Sequence, residues 1–395
     1  MFSYLKFNFK KEIFMRKAFI CPSKYVQGEN ELLNLGYFVK LYGKSALLIA
    51  NPDDVKRVRP QLDATQEKFG VKLVTCDFGG ECSREEVAKL QKLAKEEKCS
   101  CIIGLGGGKA IDTAKCVNAA KSRLIIVPTI AATDAPTSHS AVLYTPDGAF
   151  DDYAYFTSPD VILIDTAVIA KAPVRFLVSG MGDALSTYFE ARANHQSFAT
   201  VNAGLPCGAR EKKCAPARPT MAAYQLAQLC YQTLLSDGYK AKLACEENVV
   251  TPALERIIET NILLSGLGFE SGGLAAAHAI HDGLTVLEET HHMTHGEKVA
   301  FGTLCQLVLE NADQEEIDEV IDFCLTVGLP ICLEDLGVKD IGDRLAAVAE
   351  KACIPEESVH SMPFPVTPDM VAAAIIAADK LGREAKGCCC DCDCE

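Results

Sequence analysis

Short apolar runs recur through the first 130 residues with helix-like stretches between them, and this alternation limits the fold more than any other feature of the chain. SALLIAN (45–51), VKLVTCDF (71–78), CSCIIGLGGG (99–108) and SRLIIVPTI (122–130) read as strands. SALLIAN is an unbroken apolar run, as expected of a parallel strand buried on both faces. Between the runs stand DDVKRVRPQLDATQEKFG, SREEVAKLQKLAKEEK (83–98) and KAIDTAKCVNAAK, all helical in period. Pro60 starts or interrupts a segment in the first of these. In the second, Ser83 stands at the cap with Glu86 three residues on, the capping-box spacing. Repeated strand–helix units predict a doubly wound parallel sheet. Upstream, KYVQG (24–28) is read as ending in a turn and ENELLNLGYFVKLYG as helical.

From about Lys171 the pattern changes to long Ala- and Leu-rich helical stretches: GMGDALSTYFEARA, TMAAYQLAQLCYQTLLSDG, TPALERIIETNILLSGLGF and DMVAAAIIAADKLGREAK. The expected organisation is an α/β domain over 15–168 and an all-helical domain over 169–387, with residues 1–14 as an extension. Residues 195–219, with Pro206, Pro216, Pro219 and the cations Arg210, Lys212 and Lys213, read as a surface loop. A net charge of −14 argues against nucleic acid and anionic membrane as partners. No apolar run reaches bilayer length. Of nineteen cysteines, five crowd the tail GCCCDCDCE (residues 388–395 hold them), and the others are scattered. A chain of this size needs no disulfide framework, so reduced thiols in the cytoplasm are expected. The tail reads as a soft-metal chelator or as an unfolded end.

Four stretches carry chemistry. Gly104-Leu-Gly106-Gly107-Gly108-Lys109 lies between a strand and a helix, where a phosphate-cradling loop belongs. It fits neither GxGxxG, since Lys109 stands where the last glycine would be, nor the Walker loop, since Ala110 follows the lysine. A nucleotide phosphate or a structural tight turn both suit it. PTIAATDAPTSHSAVLYT (128–145) turns from a strand into a hydroxyl-rich segment with Thr129, Thr133, Asp134, Thr137, Ser138 and Ser140. Such a loop at a strand's C-terminal end is where doubly wound folds bind ligands, although an ordinary Ser/Thr loop looks similar. Asp183, in a helix-opening Gly180-Met-Gly182-Asp183, is either a helix-dipole partner or an oxygen ligand. Five of the eight histidines, His278, His281, His291, His292 and His295, fall within 273–301. They are metal ligands or ordinary histidines near a turn.

Together the motifs GLGGGKAIDTAK, PTIAATDAP, GMGDALSTYFEARA and GLAAAHAIHDGLT followed by HHMTHGEKVAFGTL stand in the order and near the spacing of one family. From about Met15 to Lys386 the chain resembles the glycerol dehydrogenases, metal-dependent members of the iron-containing alcohol dehydrogenase superfamily. The resemblance implies a dehydroquinate synthase-like fold and NAD-dependent oxidation of glycerol, or a related vicinal diol, to the hydroxyketone. It implies that Asp183, His278 and His295 bind one zinc ion, with His281 a neighbour. Gly106, Gly107, Gly108 and Lys109 would hold the NAD pyrophosphate, and Thr129, Thr133, Ser138, Ser140 and Tyr144 would line the nicotinamide side. Asp134 would contact the polyol. A cytoplasmic homo-oligomer, an octamer in the family, is also implied. Asn51 departs from the family's adenosine-reading aspartate, which weakens the expected discrimination against NADP. Thr187 stands where iron-type relatives place a further histidine, which favours three ligands and zinc. The 195–219 segment is longer than usual, and the cysteine tail has no counterpart. Two rival readings stay open: a phosphorylated-polyol dehydrogenase of the same superfamily, although loop 133–140 holds no Arg or Lys, and a thiol- or metal-binding protein working through its tail.

Overall fold

A computed structural model describes residues 16–119, 122–201, 203 and 217–388. Eight strands are β1 (Tyr25–Gly28), β2 (Ser45–Ile49), β3 (Lys72–Thr75), β4 (Cys101–Gly106), β5 (Arg123–Pro128), β6 (Ser140–Tyr144), β7 (Phe150–Tyr155) and β8 (Val161–Asp165). Six of them form one sheet in the order β1-β8-β5-β4-β2-β3, and every pairing in it is parallel. The other two, β6 and β7, make an antiparallel hairpin. From Thr166 onward the described chain is helical, so an α/β part is followed by a mostly helical part, as the sequence patterns predict.

Alternate residues along the strands enter two separate cores. Leu47, Ile49, Ile102, Leu124, Ile126, Ile162 and Ile164 pack on one face of the sheet. Ala46, Leu48, Cys101, Ile103, Leu105, Ile125, Val127, Val161 and Leu163 pack on the other. Both faces exclude water, which explains why the strands read as continuous apolar runs. No helix among the described residues is long and apolar enough to cross a membrane.

The sequence reading identifies four of the six sheet strands. KYVQG, read as ending in a turn, is edge strand β1, because β8 lies beside it and supplies a ladder that a four-residue run does not announce. β8 and the β6–β7 hairpin are further additions. The helix Val174–Ser197 takes in residues 195–197 of the expected loop, and residues 202 and 204–216 of that loop lie outside the described residues. So do residues 1–15 and 389–395, while the last helix, Pro368–Cys388, reaches the first cysteine of the tail.

The order of the sheet places the ligand crevice. From β2 the chain moves outward to β3, then crosses back to set β4 on the other side of β2. Ligands of doubly wound sheets bind at such a reversal, at the C-terminal ends of the strands. Asn51 follows β2 there, and the glycine loop follows β4.

Asp165 fastens the end of β8. Its Oδ1 accepts from the backbone N–H of Asn30 at 3.1 Å, Ala167 at 3.1 Å and Val168 at 3.3 Å, and its Oδ2 accepts from Leu32 N–H at 3.0 Å. The residue is buried. Asp165→Ala would strip a helix cap and leave buried N–H groups unpaired. A loss of about 2–4 kcal/mol in unfolding free energy is expected, read from urea denaturation.

Candidate metal centre and cofactor cleft

Three chain segments meet at one point. The helix Val174–Ser197 brings Asp183, the helix Ala276–Leu284 brings His278, and the helix His295–Leu309 begins with His295. Their approach depends on missing side chains. A methyl group on Gly296 would sit 1.7 Å from Ser179 O and 2.9 Å from Asp183 N, and one on Gly182 would sit 2.3 Å from Gly296 O. One on Gly180 would sit 2.0 Å from Ala131 O, where the loop after β5 crosses the helix. The entry of the last helix is fixed by Glu297, which accepts from Thr294 N–H at 2.7 Å and pairs with Arg175 at 2.7 Å.

Asp183 Oδ1 lies 3.0 Å from His295 Nε2 and 3.4 Å from His278 Nε2. The ligand atoms of Asp183, His278 and His295 all fall within 4.8 Å of one another. The surrounding hydrogen bonds fix what these atoms can do. Glu190, fully buried, takes His278 Nδ1–H at 2.7 Å and the backbone N–H groups of Ala275 and His278 at 2.8 and 3.0 Å. Asp282 Oδ1 faces His281 Nδ1 at 3.0 Å, and His281 Nε2 faces His295 Nδ1 at 3.1 Å. With Nδ1 as the donor on each ring, both ligand histidines turn an Nε2 lone pair toward Asp183. Two lone pairs and a carboxylate oxygen are all acceptors, and a cation between them is the arrangement that satisfies all three.

The titration behaviour agrees. Burial pushes the Asp183 carboxyl up, but His295 and His278 outweigh it and hold it far below the usual range. Burial opposes a charged His278, and the carboxylates of Glu190 and Asp183 overcome it and raise its pKa. His281 is lowered to about 4 by burial and by His295, as befits a neutral neighbour. Asp134 is raised well above the usual range by burial and by the charge of Asp183. Thr187 is bonded to Ser265 at 2.9 Å and contributes no further imidazole.

Asp134 faces this centre from the loop after β5. Its N–H donates to Asp183 Oδ2 at 3.2 Å, and its Oδ2 accepts from Ser265 at 2.6 Å. Ser265 follows a π-helical turn, Thr260–Leu264, inside the helical run from Pro252 to Gly272. Such turns bulge the backbone locally. Here the turn directs Asn261 to Ala131 O and Leu177 O, both at 3.0 Å, and offers Ile262 O to the Thr137 hydroxyl at 2.5 Å.

On the sheet side, Gly107 caps the helix Gly108–Asn118, and Gly106 has φ of +141°. A side chain at Gly106 would meet Asp54 Oδ2 at 3.1 Å. Asp54 also accepts from the Thr129 hydroxyl at 3.0 Å and from Arg57 at 2.9 Å. Lys109 pairs with Glu81 and stands 5.7 Å from the Tyr144 ring centre. Thr133 accepts from Ala135 N–H at 3.4 Å. Ser138 and Ser140 point at each other, their hydroxyls 3.2 Å apart. Asn51 precedes the helix Pro52–Arg57 and makes no side-chain capping bond there. The residues expected from sequence thus fall at the candidate metal centre, at the glycine loop, and on loop 129–139, which reaches from one to the other.

The sequence reading missed Glu190, Asp282, Ser265, Asp54 and Lys115. Glu190 was within reach: it follows Asp183 by seven residues, about two helical turns on the same face. Asp282 was too, since it stands next to His281; Ser265, Asp54 and Lys115 depend on contacts between distant segments.

Comparison with known proteins follows this geometry. The iron-containing alcohol dehydrogenase family model matches residues 22–166. The chain is 48% identical over 373 residues to a glycerol dehydrogenase of Citrobacter freundii, covering 94% of this chain and 99% of that one. A glycerol dehydrogenase structure from Schizosaccharomyces pombe superposes with a TM-score of 0.87 at 39% identity, covering 94% of this chain and 92% of that one. A probable glycerol dehydrogenase from Sinorhizobium meliloti superposes at 0.83 with 44% identity, covering 94% and 100%.

Two substitutions check the centre. Glu190→Gln keeps the shape but weakens the hold on His278, and affinity for a divalent metal by chelator competition is expected to fall roughly 10–100-fold. Gly296→Ala would force its helix away from Asp183, so a folded variant is expected to bind no divalent metal at stoichiometric concentration. Retention of native affinity in either would contradict the assignment.

Proposed function

The chain belongs to the glycerol dehydrogenases of the iron-containing alcohol dehydrogenase family, and from that membership we propose that it oxidises glycerol, or a related vicinal diol, at a zinc ion held by Asp183, His278 and His295. The observation that carries the reading is the meeting of one carboxylate and two imidazoles, their ligand atoms within 4.8 Å of one another, beside an aspartate able to bind a hydroxyl. NAD would supply the hydride acceptor, and a zinc ion on three protein ligands would supply Lewis acidity with room for substrate oxygen.

The chain's own residues do the rest. Glu190 and Asp282 keep the histidine protons on Nδ1, so that both Nε2 atoms stay free for the ion. Asp134 Oδ2 is held by Ser265, and its other oxygen can accept from a substrate hydroxyl. Gly106, Gly107, Gly108 and Lys109 present N–H groups and a cation at the crevice for the pyrophosphate, with Thr129, Thr133, Ser138, Ser140 and Tyr144 toward the nicotinamide. Asn51 stands at the adenosine end. Lacking the aspartate's charge, it repels a 2′-phosphate less, so NAD is preferred with a smaller margin. Asp183 and Glu270 lie close enough to Asp134 to raise its pKa. That negative surround favours a neutral polyol over a phosphorylated one. The protein is proposed to act in the cytoplasm as a homo-oligomer.

The test measures NAD reduction with glycerol, 1,2-propanediol and 2-propanol, after chelation and after zinc is restored. Diols are expected to outrun 2-propanol, with activity lost on chelation and regained with zinc. No reduction with any diol, or full rates without metal, would refute the reading. In Asp134→Ala the ratio of 1,2-propanediol to 2-propanol rates should drop about ten- to a hundredfold, the cost of leaving a buried hydroxyl without its partner. An unchanged ratio would remove Asp134 from substrate binding.

A further inference from the structure

Lys115 lies in the helix Gly108–Asn118, two turns beyond the glycine loop, and its side chain is wholly buried. Its ammonium group lies 2.7 Å from Ala135 O, 2.7 Å from Ser140 O, 3.1 Å from Ser138 Oγ and 3.2 Å from Asp112 Oδ1. Asp112 is buried beside it, and its Oδ2 accepts from Val142 N–H at 3.1 Å. Burying an ammonium ion is costly unless it is paired and fully hydrogen-bonded. Three of its four partners belong to a single short stretch, 135–140, which also carries two hydroxyls expected to line the cofactor cleft.

That stretch ends the loop bearing Asp134, and the helical part of the chain holds the loop from its other side. Ser179 donates to Ala132 O at 3.2 Å, Asn261 holds Ala131 O, Thr137 donates to Ile262 O, and Glu270 accepts from His139 N–H. Those bonds tie the loop to the helix that carries Asp183 and to the helical run from Pro252 to Gly272. Lys115 and Asp112 tie it to the helix that opens with the phosphate loop. The start of the loop is held to the glycine loop by Thr129 N–H on Gly106 O at 3.1 Å; its far end, beyond Asp134, is held to the same helix by this buried ion pair.

We propose that Lys115 is a positioning residue, which fixes the 135–140 turn against the phosphate-loop helix and so sets Asp134 at the correct reach from both cofactor and metal centre. The proposal rests on the diol-oxidising reading above. A neutral side chain at 115 removes the charged donor shared by Ala135 O, Ser140 O and Asp112, leaving each only a neutral donor, Ser138 N–H, the Ser138 hydroxyl and Val142 N–H in turn, and the turn then relaxes. Displacement of a positioning contact by about 1 Å costs up to about a hundredfold in rate without touching the reacting atoms.

The test compares full-length Lys115→Met with the native protein, both zinc-loaded. KM for glycerol at saturating NAD is expected to rise about tenfold or more, with zinc affinity unchanged. A lysine that served stability alone would lower the melting temperature and the folded fraction but leave the KM of the folded enzyme at its native value, and that result would overturn the proposal. Should Lys115→Met fail to fold, Asp112→Asn decides: it keeps shape, removes the counter-charge, and is expected to raise KM in the same direction. Amide hydrogen exchange gives a readout free of catalysis. Exchange over 135–142 is expected to quicken in either variant while that of the helix His295–Leu309 stays native. Native exchange over 135–142 would overturn the proposal even if the native enzyme reduced no NAD with any diol, an outcome that would refute the functional reading alone.

Discussion

Asp183, His278 and His295 form a cluster that the protein cannot satisfy by itself. Each ring has its Nδ1 proton committed, to Glu190 in one case and to His281 in the other, so the atoms that converge are acceptors. Without an ion, the cluster must take up a proton or suffer repulsion among lone pairs. The raised pKa of His278 and the depressed pKa of Asp183 are the trace of that demand. Much of the helical part follows from keeping the three groups together. Two pairs of backbone segments touch at Gly182 and Gly296 and at Gly180 and Ala131, at separations that admit no Cβ. The π-helical turn at Thr260–Leu264 aims Asn261 and Ser265 at the loop that carries Asp134.

Glu190 shows how one residue serves both folding and site. Its carboxylate takes the N–H groups of Ala275 and His278, at the start of a helix whose capping residue, Ala275, offers no side-chain acceptor. The same carboxylate orients the imidazole. A helix N-terminus favours negative charge, and a metal-binding imidazole requires a partner on its other nitrogen. A single buried carboxylate meets both needs, so the helix forms with its ligand already turned.

The sheet was legible in the sequence because its strands are buried on both faces, and unbroken apolar runs such as SALLIAN and CIIGL have few other uses. β1 and β8 were less so. KYVQG has neither the length nor the pattern of a strand and becomes one only by pairing with β8 at the sheet's edge. Asp183, His278 and His295, which the fold brings together, and the glycine loop stood out because their motifs are local and the resemblance joins them. What could not be read is the set of contacts between remote segments: Asp54 against Gly106 and Thr129, Ser265 against Asp134, Lys115 against 135–140. Lys115 illustrates the reason. In KAIDTAKCVNAAK it looks like any lysine near the end of an exposed helix, and only the hairpin folding over that helix buries it. Ser138 and Ser140 carry the converse lesson. Their hydroxyls read as ligand contacts, while in the fold they bond each other and that of Ser138 accepts from Lys115, so composition alone does not separate a binding loop from its scaffold.

The distribution of buried charge fits this division of labour. Ion pairs inside proteins contribute little net stability, because desolvation offsets their attraction. Among the described residues, such pairs are nevertheless buried at the candidate metal centre and at Lys115–Asp112, on either flank of loop 129–139. Apolar packing fills volume but tolerates small shifts, since its forces have no preferred direction. Hydrogen bonds to charged groups have short lengths and defined directions. A hydride transfer needs the donor carbon and the acceptor ring held at near-contact distance, and on the proposed reading the groups that would hold them belong to different halves of the molecule. The loop between them is therefore held by directional bonds on both flanks, with charged anchors where the tolerance is smallest.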